Sequence, residues 1–314
     1  MEKNDLQKLF DEYISFCTFT RTLRPQTIIG YKEAFKHFIK LMPSVTTTHS
    51  ITSENMNYFF KKLQTRERVV GKGEKRVGVK PSTIMSYWRR LNSFFTWLKE
   101  NGHLDVNPLP KNRPPEPQYN DKKSLSKSEL EKILGAIDLH SKNLLILKRD
   151  KVIFYLLFYC GLRKGELLSL QIRDMDFTRG KIIIRGLTSK SKRTRELPMH
   201  PTLELHLRDF ISERNKKGYK SEHLIVSNNN DRKLSVHGLK HWVDRMNKIA
   251  GVKFHLHQFR HTFACGLGSQ GIGSYKLQKL MGHTDLRMTE RYLRSMGVED
   301  LRDDVNRLDI DNLM

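Results

Sequence analysis

Three basic clusters and one tyrosine near the C-terminal end of the chain have the residue types needed to act on a phosphate. The clusters occupy 161–167, 257–261 and 281–283, and the tyrosine is Tyr292. Guanidinium groups such as those of Arg163 and Arg260 can hold the non-bridging oxygens of one phosphate with planar forks of N–H donors. Histidines can hydrogen-bond the same group and move protons, and a tyrosine can attack phosphorus. Together these residues predict strand transfer on DNA through a phosphotyrosine, without a metal.

Arg163 and its neighbours lie where a buried helix is expected to end. The longest apolar run covers 152–160 and predicts a buried helix, and a short helix is predicted over 164–170. Arg163 therefore falls at the turn between two helices. An arginine at such a turn is by itself ordinary surface charge.

The second cluster predicts a helix with two different faces. His257, Arg260 and His261 are three and four residues apart, so they share one face, while Phe259 and Phe263 form a separate apolar pair. We expect one face to pack and the other to present cations.

The third cluster precedes another predicted helix start. His283 follows a glycine and is followed by Thr284 and Asp285, residues that favour the first turn of a helix. Tyr292 comes nine residues after His283, on or near that helix.

In order and spacing these motifs resemble those of the tyrosine recombinases of the phage integrase family. They read Gly-Leu-Arg-x-x-Glu-Leu at 161–167, His-x-x-Arg-His-Thr-Phe at 257–263, Gly-His at 282–283 and Thr-x-x-Tyr at 289–292. The chain departs from the pattern only where Gln258-Phe259 replaces the commoner Asp-Leu and Met281 replaces a usual Leu. None of these positions donates to phosphate.

The resemblance implies a role for each site residue. Arg163 and Arg260 clamp the scissile phosphate, His257 and His283 assist, Tyr292 is the nucleophile, and Glu166 supports Arg163 or a nearby histidine. The family's catalytic lysine lies in a β-hairpin, eight residues before a proline. Counting back from Pro198 gives Lys190, with Lys192 as the rival candidate.

These roles match the demands of the reaction. Attack on phosphorus adds negative charge to its equatorial oxygens, which two fixed guanidinium groups stabilise best in the transition state. Tyrosine, with an unperturbed pKa of about 10, must lose its proton during the attack. The leaving 5′ oxygen needs a proton, which a lysine on a hairpin can deliver.

A zinc site is the competing interpretation of the histidine-rich segment. Its ligands would be His255, His257, His261 and Cys265. Arg260 would lie among these ligands and repel the ion, and no further Cys or His pair completes a tetrahedral set. We therefore expect neither a metal nor a cofactor.

The composition favours a nucleic-acid partner. Lys and Arg outnumber Asp and Glu by 57 − 34 = 23 among 314 residues, an excess that suits binding to a polyanion. No apolar run approaches the ~20 residues needed to cross a bilayer, and no secretory signal opens the chain, so the expected location is cytoplasmic. The three cysteines, Cys17, Cys160 and Cys265, have no metal or redox spacing and predict reduced thiols.

The predicted fold is mainly α with a small antiparallel β-sheet, in two domains. Amphipathic patterns over 27–41, 53–63 and 82–98, together with a first helix from Leu6, predict a helical, SAM-like core DNA-binding domain at 1–108. A proline-rich linker covers 109–117, and a tyrosine recombinase catalytic domain covers 118–314. In the second domain, strands are predicted over 181–185 and 195–198, with 223–226 as a possible third.

The segment between the last two helices of the first domain is strongly basic. Residues 61–80 hold eight Lys or Arg, two Glu and three Gly. This composition fits either a solvated loop or an arm that contacts phosphates, and the sequence does not decide between them.

The expected partners are double-stranded DNA and further copies of the chain. The resemblance implies four protomers on two sites, with a C-terminal helix at 298–314 docking on a neighbour, whereas the simpler alternative packs that helix on its own domain. A DNA-bending or excision protein is a further possible partner. The alternative functions are DNA relaxation of the type IB topoisomerase kind and a non-catalytic DNA-binding accessory.

Overall fold

The chain forms two compact units, Met1–Tyr119 and Asn120–Met314. The structure is a computed structural model that describes residues 5–71, 73–116, 124–141, 143–186, 193–227 and 231–293. Most described residues are helical, and they include two small antiparallel sheets, which confirms the predicted fold class. Within these ranges, none of the helices has the length and hydrophobicity that crossing a bilayer requires.

Among the described residues, four α-helices build the first unit around an aromatic core. They are α1 (Asp5–Ser15), α2 (Pro25–Leu41), α3 (Ser53–Thr65) and α4 (Pro81–Glu100). A short π-helix, Phe16–Thr20, continues α1. The rings of Phe10 and Phe35 stack with centroids 3.8 Å apart, and Phe94 meets Phe10 edge-on at 5.2 Å. These contacts join α1, α2 and α4 at the positions that the apolar pattern predicted.

A β-hairpin connects α3 to α4. Its strands, β1 (Glu67–Val70) and β2 (Glu74–Val77), pair antiparallel, and both belong to the basic segment that was predicted as a loop or an arm. Residues 67–70 and 74–77 therefore have regular structure that the composition did not reveal.

The second unit is built from eight helices in the described ranges. They are α5 (Lys127–His140), α6 (Leu144–Cys160), α7 (Lys164–Ser169), α8 (Pro201–Lys216), α9 (Val236–Ala250), α10 (Leu256–Ser269), α11 (Ser274–Met281) and α12 (Arg287–Leu293). The predicted capping box opens α5, where Ser126 and Glu129 exchange side-chain and backbone hydrogen bonds. The apolar helix α6 lies at the centre and packs against α5, α8 and α10.

A three-stranded sheet lies beside these helices. Its strands are β3 (Met175–Asp176), β4 (Lys181–Ile184) and β5 (Arg195–Pro198), in the order β3-β4-β5. Ile182 pairs with Leu197 in the centre of the β4–β5 ladder, and both are buried. The two main strands confirm the sequence prediction.

The prediction of a possible third strand at 223–226 is wrong. This segment makes only isolated bridges, from His223 to Gln171 and from Val226 to Lys233. The reason is that its backbone serves two different neighbours: the N–H of Leu224 donates to the carbonyl of Leu170, and the carbonyl of Ile225 accepts from Leu234. The apolar run reflects burial in the core, and the third strand is β3 instead.

Candidate active site

Gly161 makes the turn that places Arg163. It ends α6 in the left-handed conformation with φ 54°, and a Cβ built there would lie 2.5 Å from Cδ1 of Phe263. A side chain is thus excluded both by conformation and by space. The chain then enters α7 with Arg163 at its N-cap, as the sequence predicted.

Glu166 holds Arg163 through two hydrogen bonds. The Nη1 of Arg163 donates to Oε1 of Glu166 at 2.9 Å, and the backbone N–H of Arg163 donates to Oε2, also at 2.9 Å. The Arg163 side chain keeps 20% of its surface exposed, while that of Glu166 is 1% exposed. Glu166 thus holds the guanidinium of Arg163 in place, while part of the Arg163 side chain remains exposed. The supporting role of Glu166 is consistent with these contacts and stays a prediction.

Arg195 is a second partner of Glu166 that the sequence did not reveal. Its two Nη groups donate to the two carboxylate oxygens at 3.0 and 2.9 Å, and its Nε donates to the carbonyl of Leu280 at 3.0 Å. Arg195 lies in β5, a strand correctly predicted, but its spacing resembles no site motif. Only the folded structure brings it to Glu166.

The charge of Glu166 is stabilised in this position. Burial raises the pKa of its carboxyl, but Arg195 and Arg163 together lower it further, to about 2. Glu166 is therefore ionised at neutral pH and lies between two guanidinium groups.

Arg260 is buried and makes hydrogen bonds with Gly161, Met281 and His283. Its side chain is 1% exposed, and Nη1 donates to the carbonyl of Gly161 at 2.6 Å. Its Nη2 donates to the carbonyl of Met281 and lies 3.0 Å from Nε2 of His283. The expectation that Arg260 lies on a cation-presenting face is therefore wrong in part: the guanidinium points into the protein and joins the ends of α6 and α11.

The contacts of His283 define its protonation. Arginine can only donate, so Nε2 of His283 accepts from Arg260, and the proton lies on Nδ1, which donates to Oγ1 of Thr289 at 2.9 Å. Burial, followed by the positive charges of Arg260, Arg163 and Arg195, lowers the pKa of His283 to about 3. At neutral pH, His283 is an uncharged, oriented hydrogen-bonding group.

The other two histidines of α10 have different surroundings. His257 is exposed in the first turn of the helix. His261 is 5% exposed, and its Nδ1 lies 3.0 Å from Sγ of Cys265 one turn later.

Cys17, Cys160 and Cys265 are all free thiols.

The backbone of Tyr292 lies in α12, as predicted. Thr289, which is buried and bonded to His283, precedes it by three residues, or ~4.5 Å of helix rise. The helix also packs against α10 and α11. The side chain of Tyr292 is outside the described part of the structure, as are Lys190, its rival Lys192 and the segment 298–314.

One connected polar cluster thus includes Arg163, Arg260 and His283. Arg163 is linked through Glu166 and Arg195 to the carbonyl of Leu280, near the end of α11. Arg260 and His283 contact each other at the same end of α11. Such a cluster holds guanidinium donors in fixed positions, as stabilising charge on an oxyanion requires, and the imidazole of His283 orients the guanidinium of Arg260.

Comparison with known proteins gives a family match and full-length relatives. The model of the phage integrase family matches residues 123–297. The chain is 26% identical over 302 residues to "Tyrosine recombinase XerC" of Oceanobacillus iheyensis, which covers 92% of each protein. It is 29% identical over 281 residues to "Tyrosine recombinase XerA" of Saccharolobus solfataricus, covering 88% of this chain and 85% of the relative.

Solved structures share the fold. The Tn1549 transposon integrase in complex with transposon right end DNA is similar with a TM-score of 0.74 and 19% identity, over 96% of this chain and 98% of that one. A lambda integrase dimer bound to a COC′ core site is similar with a TM-score of 0.69 and 18% identity, over 91% and 94% of the two chains.

Proposed function

This chain belongs to the phage integrase family, and from that membership we propose that it is a site-specific DNA recombinase. It cleaves and rejoins DNA strands through a covalent 3′-phosphotyrosyl intermediate, in the integration, excision or resolution of a mobile element or replicon. The full-length similarity to proteins named tyrosine recombinase supports this activity.

The observation that carries the proposal is the fixed cluster of Arg163, Arg260 and His283. Two guanidinium groups are held by hydrogen bonds, that of Arg163 by Glu166 and that of Arg260 by Gly161, Met281 and His283, so their positive charges are in place before negative charge develops on a phosphate. Glu166 is itself neutralised by two arginines, and the neighbourhood therefore stays favourable to an anion.

The proposed reaction uses six residues of the chain. Arg163 and Arg260 bind the scissile phosphate, His257 and His283 assist, Tyr292 attacks, and Lys190 acts as the general acid. The phenol of Tyr292 passes its proton to a histidine of the site and its oxygen bonds to phosphorus, the bond from phosphorus to the 5′ oxygen breaks, and Lys190 protonates that oxygen. Because the phosphoester bond energy is kept in the phosphotyrosine, rejoining by a 5′ hydroxyl needs no ATP.

The partner in this proposal is double-stranded DNA, bound by both units. Residues 1–108 act as the core DNA-binding domain, 109–117 as the linker and 118–314 as the catalytic domain. The similarity of the fold to the Tn1549 and lambda integrases, whose structures were solved in complexes with DNA, supports this assignment. Four protomers assemble on two sites, and the segment 298–314 docks on a neighbouring protomer.

The experiment that tests the proposal is covalent trapping. DNA bound by the protein in the native host is cross-linked with formaldehyde, captured and sequenced, and a nicked suicide duplex of that sequence is then incubated with the purified chain. We expect a covalent adduct with the unmutated protein and none with Tyr292→Phe. A chain that binds the duplex without forming an adduct would be a DNA-binding accessory, and the proposal would be rejected.

A further inference from the structure

The β1–β2 hairpin of the first unit is a two-stranded ribbon that is largely exposed, with only Arg68 and Val70 half-buried among its strand residues. Every residue of β2 is exposed, and β1 alternates between exposed and half-buried residues. Val69 and Val77 each have 69% of their surface exposed. Because an isolated two-stranded hairpin is only marginally stable in water, this ribbon calls for a partner that covers it.

One face of the ribbon carries two arginines directly opposite each other. Arg68 pairs with Arg76 in the register, and like charges in such a pair destabilise a sheet. The Nε of Arg68 donates to the carbonyl of Gly78 at 2.6 Å, and Nη2 of Arg76 donates to Glu74 at 2.7 Å. Glu74, on the same face as Arg76, offsets part of this repulsion, and an anion bound between the two guanidinium groups would offset the rest.

The other face has a different character. Because side chains alternate along a strand, Val69 and Val77 lie on the face opposite to Arg68 and Arg76, as diagonal neighbours across the two strands. This arrangement lets one face be altered while the other is left intact.

The charge of the whole connection selects a polyanion as the partner. Residues 61–80 hold eight basic and two acidic residues, a net charge of 8 − 2 = +6. A two-stranded ribbon also has the dimensions that the major groove of B-DNA admits.

We propose that the β1–β2 hairpin binds duplex DNA, with Arg68 and Arg76 against the sugar–phosphate backbone. This inference rests on the proposed function and adds a contact surface to it. Contacts to phosphates fix register and carry no base code, so the hairpin positions the first unit along the duplex. A protein partner or a second copy of the chain, bound through the valine face, is the alternative outcome of the test.

Salt dependence of binding tests the proposal on the full-length chain. The dissociation constant for a duplex carrying the captured site is measured at several salt concentrations, because log K falls with log[salt] by about 0.9 for each phosphate contact. The variants are Arg68→Gln/Arg76→Gln, the charge-retaining Arg68→Lys/Arg76→Lys, and Val69→Thr/Val77→Thr as the matched control on the opposite face. Circular dichroism verifies that each variant is folded.

We expect the glutamine pair to reduce the magnitude of the salt slope by about 2, and the lysine and threonine pairs to leave it unchanged. An unchanged slope for the glutamine pair would overturn the inference, and so would a loss of assembly seen only with the threonine pair. Covalent trapping on the suicide duplex at saturating protein distinguishes a failure of the hairpin contact from a failure of the proposed recombinase function. If the glutamine pair still forms the adduct with an unchanged slope, the hairpin contact fails while the proposed function stands.

Discussion

Arg195 and Glu166, 29 residues apart in the chain, form a buried two-pronged ion pair. Both Nη groups of the arginine donate to the carboxylate, at 3.0 and 2.9 Å, and the two side chains are 8% and 1% exposed. The same carboxylate binds Arg163, so a residue of β5 fixes, through one acid, the arginine at the start of α7. The pair therefore connects the strand that follows the predicted catalytic lysine to the predicted phosphate clamp.

Replacing Arg195 should weaken both the fold and cleavage. In Arg195→Met the buried carboxylate of Glu166 keeps its bonds to Arg163 but loses the two hydrogen bonds from Arg195. We expect the free energy of unfolding to fall by about 3 kcal/mol. Urea denaturation measures this, with Lys181→Met as the control, because the pair of Lys181 with Glu196 is partly exposed and should contribute less than about 1 kcal/mol. Equal losses of unfolding free energy in the two variants would contradict a stabilising role for the ion pair of Arg195 with Glu166.

The ionisation of Glu166 should make stability depend on acid pH. Its pKa falls from 4.5 to about 2 on folding, so its charge stabilises the fold above pH ~4.5, and this contribution is lost as pH falls toward 2. The full effect is roughly 3 kcal/mol at 1.36 kcal/mol per unit. Unfolding free energies at pH 5 and pH 3 should therefore differ more in the unmutated chain than in Glu166→Gln, and parallel pH curves would count against the effect.

His283 should act in a separate, higher pH window. Its pKa falls from 6.5 to about 3 on folding, so below pH ~6.5 the unfolded chain takes up a proton that the folded chain does not. Stability is therefore lost as pH falls, by about 2 kcal/mol between pH 7 and pH 5. In His283→Gln this part of the loss should disappear. If the variant shows the same loss between pH 7 and pH 5, the neutral imidazole is not the titrating group.

Gly161 should tolerate no side chain. Gly161→Ala meets both the left-handed φ of 54° and the ring of Phe263, and it displaces the carbonyl that Arg260 binds. Gly251→Ala is the matched control, because Gly251 has φ 65° with nothing within 4 Å of the added Cβ. The control should cost about 1 kcal/mol of stability, whereas Gly161→Ala should cost several and should lose covalent trapping. A second change, Phe263→Leu, should restore part of the loss.

The role of Lys190 can be tested by the leaving group. If Lys190 protonates the 5′ oxygen, Lys190→Met should slow cleavage by about 10²-fold or more. A substrate with sulfur in place of that oxygen releases a thiolate that needs no proton, so it should restore the rate of Lys190→Met and leave Arg163→Gln slow. Rescue of Lys192→Met instead would transfer the role to the rival lysine.

The sequence predicted what depends on local pattern and missed what depends on distant contacts. Periodicity located α2, α3 and α4, and the motif at 161–167 located Arg163 and Glu166. Arg195 carries no local signal, because its role comes from a carboxylate 29 residues away and from the carbonyl of Leu280. The β1–β2 hairpin was missed for the related reason that charged, exposed strands lack the alternation by which a half-buried strand is recognised.

The bond from His283 to Thr289 has a consequence for how active sites are shared among subunits. It ties α12, the helix that contains Tyr292, to an imidazole that Arg260 of the same polypeptide already holds. The backbone of the proposed nucleophile and the proposed phosphate-binding arginines are therefore tied together within one polypeptide, and we expect cleavage in cis. Mixing a subunit that lacks the nucleophile with one that lacks a clamp arginine would then produce no complementation.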